Sequence, residues 1–300
     1  MKFSYLVMKV NKSVSTVIPT FNRELFLKKA IESSLEQTIN HEIIVCNHGG
    51  SDGTDEMVKQ FHGKIKYIKK EVDNGPHYCW LDGVMEAKGE FINLLFDDDW
   101  IEPNYIEECM KHFDDPNVGF VFTQAKSYDD QYQKFKTTYN YEYLFKDGIY
   151  KVSKYELPLL TSLISPTAFI IRKKDMIDSI YNGKLPFAKY SYKGVGPDRF
   201  MYLLCMLRYS SFGFVNKPLV NYRNHINSIT IDSHLDKNKS ILLKKAYDEV
   251  NKYYYTIKYG KIFSFLNNYY IFGIRFILNN PIISFKKLIR KLSRNLTTTK

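Results

Sequence analysis

Three consecutive carboxylates, Asp97, Asp98 and Asp99, stand between the apolar run Phe91-Ile92-Asn93-Leu94-Leu95-Phe96 and Trp100. Adjacent carboxylates repel, so the cluster is costly unless a cation compensates it. Oxygen donors of this kind suit Mg²⁺ or Mn²⁺, which commonly bridge protein carboxylates to a substrate diphosphate. The plain structural reading of the same residues is a solvated acidic turn, or a helix start where Asp favours the macrodipole.

Three further constellations carry chemistry. In Asn47-His48-Gly49-Gly50-Ser51-Asp52-Gly53-Thr54, the glycines let backbone approach a ligand closely. Asn47 and Asp52 are placed to hydrogen-bond a base or ribose, and Asp52 also suits the cap of the next helix. The pattern is neither a Walker loop nor a dinucleotide fingerprint. In Gly194-Val195-Gly196-Pro197-Asp198-Arg199-Phe200, Asp198 is either a helix cap or a carboxylate set to act as a base. In Leu219-Val220-Asn221-Tyr222-Arg223-Asn224-His225, Arg223 and His225 alternate with core positions and point the same way. They could hold phosphate or a metal, although a lone His is more often structural.

The elements that must position these groups alternate strand and helix. Strands are expected at Val14-Ser15-Thr16-Val17-Ile18, at Glu42-Ile43-Ile44-Val45-Cys46, at Ile65-Lys66-Tyr67-Ile68, at residues 91–96 and at residues 118–122. Between them lie helices beginning near Asn22, Thr54, His77 and Pro103, with Asn22 as the expected cap of the first. This alternation implies an α/β fold with a mostly parallel sheet flanked by helices. Ligands of such sheets sit at the carboxyl ends of strands, where all the early motifs fall. Residues 127–160 read as an excursion from the sheet. Residues 164–171 read as a strand and 198–207 as a helix, followed by two short strands at 211–215 and 219–223. From Ser240 onward the chain reads as helical, broken by Pro281.

The 300 residues carry a net charge of +11, which first suggests a polyanionic partner. The surplus is local: residues 237–300 hold 14 Lys and Arg against two acidic residues, and residues 1–236 sum to −1. A whole-body nucleic-acid binder is therefore disfavoured. Cys46, Cys79, Cys109 and Cys205 form no close pair in sequence; they read as buried small hydrophobes in a reducing cytosol. No signal peptide or membrane-spanning run is apparent.

Taken in order, Val17-Ile18-Pro19-Thr20-Phe21-Asn22-Arg23, the Gly-Gly-Ser-Asp-Gly-Thr turn, Asp73-Asn74-Gly75-Pro76, Ala87-Lys88-Gly89-Glu90-Phe91-Ile92, the Asp triplet with Trp100, and Tyr222-Arg223-Asn224-His225 resemble the family-2 inverting glycosyltransferases. Each motif is weak alone, and the ordered set, spanning about residues 13–230, is specific. The resemblance implies the GT-A fold, with a nucleotide-sugar-binding half at 13–125 and an acceptor-binding half at 126–236 of a catalytic domain 1–236. A basic, aromatic, helical region follows at 237–300.

It also implies roles. Pro19, Thr20, Phe21 and Arg23 would line the nucleotide pocket. Asn47 and His48 stand where relatives usually carry Asp against the base, a departure that leaves base identity open. Asn74, Gly75 and His77 would lie near the ribose or diphosphate. Asp97, Asp98 and Asp99 occupy the metal motif, for Mn²⁺ or Mg²⁺, with Asp98 the surest metal neighbour. Asp198 matches the catalytic base, although Pro197 replaces the residue relatives usually place before it. Arg223 and His225 would complete the diphosphate and metal site. The expected donor is a UDP-sugar, and the expected acceptor a glycan or lipid-linked hydroxyl in bacterial capsule or O-antigen synthesis.

The tail leaves two readings open. Lys286-Lys287-Leu288-Ile289-Arg290-Lys291-Leu292-Ser293-Arg294 suits an interfacial helix on anionic lipid, which would put the enzyme in the cytoplasm on the inner face of the membrane. The other reading is a helix pair packed on the body or in a homodimer. Two rival functions are a nucleotidyltransferase of similar sheet type and a non-enzymatic basic nucleic-acid-binding module. A nucleotidyltransferase would show a Gly-rich loop with a basic residue, and a nucleic-acid-binding module would show a stacking platform; neither feature is present.

Overall fold

A computed structural model describes residues 12–279 apart from 140, 142, 145, 182–184, 191–194, 226–227 and 229–235, and gives no side-chain detail for 261–279. The first motif-bearing run forms strand β1 (Val14–Thr20), buried along its whole length. Helix α1 (Glu24–Leu35) follows and buries Leu27, Ala30 and Ile31. Strand β2 (Glu42–His48) is buried from Ile43 onward, as a β-branched run covered on both faces should be. Next come helix α2 (Thr54–Val58), strand β3 (Lys66–Lys70), helix α3 (Pro76–Glu86), strand β4 (Phe91–Leu94), the short strand β5 (Trp100–Ile101) and helix α4 (Tyr105–Met110).

The second half holds strands β6 (Val118–Asp129), β7 (Lys134–Tyr139) and β8 (Gly148–Lys151), helix α5 (Val152–Thr161), strand β9 (Phe169–Arg172), helices α6 (Lys173–Ser179) and α7 (Pro197–Arg208), and strand β10 (Ser211–Asn224). Among the described residues, the sheet runs β3-β2-β1-β4-β9-β6-β10-β5, with β7 on β6 and β8 on β10. The pairs β3–β2, β2–β1, β1–β4 and β6–β10 are parallel. β9 enters antiparallel between β4 and β6. The α/β class with a mostly parallel core is thus as the sequence implied.

Two pairings decide where the chemistry sits. Parallel β1, β2 and β4 end at one edge, which gathers Thr20, His48 and the turn after Leu94. β5 then pairs antiparallel with β10, Trp100 opposite Asn221 and Ile101 opposite Val220. That pairing lays the Asp triplet beside the end of β10, where Arg223 and His225 lie.

Several expectations need correction. Asn22 does not cap α1: it sits at φ +52°, and its Oδ1 accepts instead from Ser51 N–H at 2.7 Å. Asp52 stands in for it. One carboxylate oxygen accepts from Glu24 N–H at 3.0 Å and the other from Thr54 N–H at 3.1 Å, so one side chain serves the starts of α1 and α2. The strand expected at 164–171 is only β9, because Pro166–Ala168 forms a 3₁₀ turn. The two short strands at 211–215 and 219–223 are one, β10, which passes Pro218 through register shifts. The excursion at 127–160 contains the end of β6 as well as β7, β8 and most of α5.

The chain divides into two units, residues 1–250 and 251–300. Helix extends over Lys237–Asn279 with non-helical backbone at Gly260. Pro281 and the basic run at 286–294 lie outside the described residues. No helix among the described residues is long and apolar enough to cross a membrane.

Candidate active site

The Asp triplet is held as a tight turn at the end of β4. Leu95 N–H donates to Val17 O at 3.0 Å and Asp99 N–H to Phe96 O at 3.1 Å. Thr167 fixes the turn from the other side, accepting from Phe96 N–H at 3.2 Å and donating to Asp99 Oδ2 at 2.9 Å. The three carboxylates therefore diverge. Asp97 faces the end of β1, where Thr20 Oγ1 donates to it at 2.8 Å and Arg23 Nη1 at 3.0 Å. Asp99 faces β10 and accepts from Arg223 N–H at 3.1 Å. Asp98 lies between them: Arg23 Nη1 reaches its Oδ2 at 2.9 Å, and His225 Nε2 reaches the same oxygen at 3.0 Å.

Electrostatics separate the three. Burial pushes Asp97 up to about 6, against the pull of Arg23. Burial, with repulsion from Asp98, pushes Asp99 well above the usual carboxylate range. For Asp98 burial is outweighed by the His225 hydrogen bond and the Arg23 charge, and its carboxyl stays low. Asp98 is also the more open: its side chain is 17% exposed against 7% for Asp97. An ionised, accessible carboxylate beside an imidazole is a donor set that accepts a divalent cation, Mn²⁺ more readily than Mg²⁺ because of the nitrogen. The residues present therefore fit the metal that the sequence implied.

Arg223 is braced rather than free. Its Nε donates to Asp98 O at 3.1 Å, and its Nη1 pairs with Asp130. The guanidinium lies 4.8 Å from the Phe26 ring centroid and 5.1 Å from that of Trp100. The His225 ring also meets Phe26, at 4.8 Å. Both side chains thus project to one side of β10, as their spacing of two required.

Asp198 occupies the first turn of α7 without capping it. Gly196 takes the cap position in the left-handed region, at φ +127°, and its N–H donates to Asp198 Oδ1 at 2.8 Å. Burial raises the Asp198 carboxyl; the backbone N–H groups of Gly196 and Arg199, then His77 and Arg199, work the other way. Arg199 itself is turned into the core, donating to Tyr202 Oη at 3.0 Å and to Leu160 O. From His77, rings run through Trp80, at 4.6 Å, to Phe96, at 5.6 Å, joining the neighbourhood of Asp198 to the residue preceding the triplet.

The remaining sequence-derived residues fall into two further places. Asn47 is fully buried; its Nδ2 donates to Tyr67 Oη at 2.9 Å, and its Oδ1 has no partner among the described residues. His48 is buried beside it, with Nε2 3.2 Å from Asp82 Oδ2. Pro19 is buried opposite Cys46, whereas Phe21 is 46% exposed at the strand end. Asn74 and Gly75 form an exposed turn in which Gly75 N–H donates to Asp73 Oδ1 at 2.7 Å. Thr20, Arg23, the three Asp, Arg223 and His225 are therefore one bonded network, and His77 with Asp198 a second group.

Sequence reasoning missed Thr167, Asp130, Phe26 and Tyr67. Each acts through a partner far along the chain, and no local pattern marks it. A hint existed for Thr167 only, a Thr after Pro166 at the start of an apolar run.

Comparison with known proteins fits this geometry. The family model described as glycosyl transferase family 2 matches residues 15–178, more than half of the chain. The putative glycosyltransferase EpsH of Bacillus subtilis is 30% identical over 122 residues, 39% of this chain and 35% of that protein. Chondroitin synthase of Pasteurella multocida is 29% identical over 133 residues, 43% of this chain and 14% of that one. The chain thus spans about a third of EpsH and much less of the synthase. Among solved structures, S. aureus TarS 1–349 in complex with UDP-GlcNAc superposes with a TM-score of 0.59 at 13% identity, over 81% of this chain and 72% of the other. That likeness speaks to the fold, and the fold is the GT-A-like one expected. These matches support neither the nucleotidyltransferase nor the nucleic-acid reading. With the family model covering strands β1 to β9 and the Asp turn at their edge, the chain belongs to glycosyltransferase family 2.

Proposed function

We propose that this chain transfers a sugar from a nucleotide-sugar, a UDP-sugar, to a hydroxyl of a glycan or lipid-linked acceptor, with inversion at the anomeric carbon. The observation that carries the reading is the carboxylate turn at the strand ends, whose Asp98 is held ionised by Arg23 and His225. A donor diphosphate needs such a place, where a cation can meet both it and the protein.

Asp98 and His225 would hold the divalent cation, with Asp97 and Asp99 behind them. When bound, it would supply positive charge against the diphosphate. The chain does the rest. Thr20 and Arg23 orient Asp97 and Asp98. Arg223 holds the Asp98 carbonyl and Asp130, fixing the turn. Asp198 accepts the proton of the acceptor hydroxyl as that oxygen bonds the anomeric carbon and the bond to the diphosphate oxygen breaks. The products are the lengthened acceptor and a nucleoside diphosphate. Burial raises the Asp198 carboxyl, which makes its carboxylate a stronger base. His77, Asn74 and Gly75 border the donor diphosphate or ribose. Pro19, Phe21, Asn47 and His48 border the base.

Single-step inversion is the course in keeping with Asp198 acting alone as base. Chondroitin synthase is a relative whose name supports a polysaccharide as the product. The +12 charge of residues 237–300 supports work in the cytoplasm at the inner face of the membrane, tested by liposome sedimentation of the whole chain against one ending at Ser240. The function itself is tested by a donor panel with Mn²⁺, scored by thermal shift and nucleoside diphosphate release. Stabilisation and release with a UDP-sugar support it; no response to any nucleotide-sugar contradicts it.

A further inference from the structure

Beside the carboxylate turn, the end of β2 and the first turns of α3 bring two thiols and an imidazole together. Cys46 and His48 are two residues apart on β2 and so share one face of the sheet. α3 lies close over that face. A side chain at Gly83 would meet Val17 Cγ1 at 2.5 Å and Cys46 Cβ at 3.5 Å, so glycine is required for the approach. The approach lets Cys79 reach β2. One donor atom each of Cys46, His48 and Cys79 lies within 4.8 Å of the other two.

Ordinary packing accounts for part of this. Cys79 Sγ donates to Cys46 O at 3.0 Å, and buried free cysteines commonly behave as small hydrophobes. It does not account for His48. That residue is 1% exposed, yet its Nδ1 makes no hydrogen bond among the described residues, and its Nε2 meets only the Asp82 carboxylate. Buried polar groups are normally satisfied, and one that is not calls for an explanation such as a missing ion. Asp82 adds a second element: its Oδ2 lies 3.2 Å from His48 Nε2, the pairing by which a carboxylate orients a metal-bound imidazole.

We propose that Cys46, His48 and Cys79 form a binding site for one thiophilic cation of the zinc type, with Asp82 orienting the His48 ring. Two thiolates and an imidazole select such a cation over Mg²⁺ or Mn²⁺, so the site is chemically distinct from the Asp turn. Three protein donors leave a fourth coordination position. The contact with Cys46 and burial both push the Cys79 thiol up. A cation bound here displaces the thiol protons to solvent. A cation held here joins β2 to α3, and so joins Asn47 to the helix that carries His77. The inference stands whether or not the chain transfers a sugar, because its test reads the metal directly.

Reduced, metal-free protein is titrated with Co²⁺ and then Zn²⁺ while absorbance is followed. The expected result is one equivalent of Co²⁺ bound with a thiolate-to-cobalt charge-transfer band that Zn²⁺ bleaches. Cys46→Ser and Cys79→Ser abolish the band, and Asp98→Ala retains it, each variant being confirmed as folded by circular dichroism. A wild-type protein with no charge-transfer band overturns the proposal, as does a band that survives in Cys79→Ser. Should a variant fail to fold, the wild-type titration alone decides.

Discussion

His225 Nε2 and Arg23 Nη1 converge on one oxygen of Asp98, at 3.0 and 2.9 Å. Arg23 and His225 thus hold the central carboxylate of the triplet ionised in a place where burial works against ionisation. The residues come from three distant segments: the turn after β1, the turn after β4 and the end of β10. Their meeting is what the β5–β10 pairing accomplishes.

Asp98→Ala removes the accessible carboxylate, and His225→Ala removes its partner. Each is expected to weaken Mn²⁺-dependent UDP binding by about 10-fold or more, the range over which metal sites respond to lost ligands and lost partners. Calorimetry of UDP binding with and without Mn²⁺ checks this. Unchanged affinity in both variants would remove the metal from the Asp turn.

Arg223 donates from Nε to Asp98 O, pairs through Nη1 with Asp130, and lies over the Phe26 and Trp100 rings. Lysine cannot reproduce them. Arg223→Lys is expected to lower turnover by roughly 100-fold, the cost of misplacing a turn by about an ångström, with little change in Tm. An Arg223→Lys enzyme with normal kcat would show that the bracing is dispensable.

Asp97 gives a stability signature. Its folded carboxyl titrates at about 6, above the ordinary 3.8, so the folded state holds the proton more tightly than the unfolded one. Its contribution to stability is full at low pH and is lost as pH rises between those two values. Asp97→Asn cannot lose a proton there. The Tm of that variant minus that of wild type is therefore expected to grow by several degrees between about pH 4 and pH 6. A flat difference would show that Arg23 and Thr20 fully compensate the buried charge.

Asp52 serves two helices from one side chain. Asp52→Ala is expected to cost about 1 kcal/mol or somewhat more, a typical loss for a helix N-terminal acceptor, and Asn22→Ala less. Urea denaturation of both variants checks the order. A larger loss for Asn22→Ala would restore it as the dominant cap.

Much of this architecture is legible in the sequence because its signals are local. β1, β2 and β4 are buried apolar runs, and a charged triplet directly after one of them falls at a strand end without further argument. Asp198 before an apolar helix is equally visible. What was not legible depends on distant partners. Nothing near Asn22 shows that its amide turns to Ser51 while Asp52 supplies Glu24. Pro218 reads as a break, yet β10 continues past it because β6 pairs on both sides of the register shift. β9 enters antiparallel between β4 and β6, so Thr167 meets Asp99 across 68 residues, a separation no spacing rule spans.

The central claim is that Asp198 is the base for sugar transfer. It is tested most directly by single-turnover kinetics of wild type and Asp198→Asn with the UDP-sugar selected by the donor panel, across a pH series. The account predicts that wild-type turnover rises with pH through an apparent pKa above the ordinary carboxylate range. It predicts that Asp198→Asn loses about 10²–10⁴-fold in rate and loses that pH limb while still binding donor. An Asp198→Asn enzyme that turns over at the wild-type rate, with the same pH profile, would contradict it.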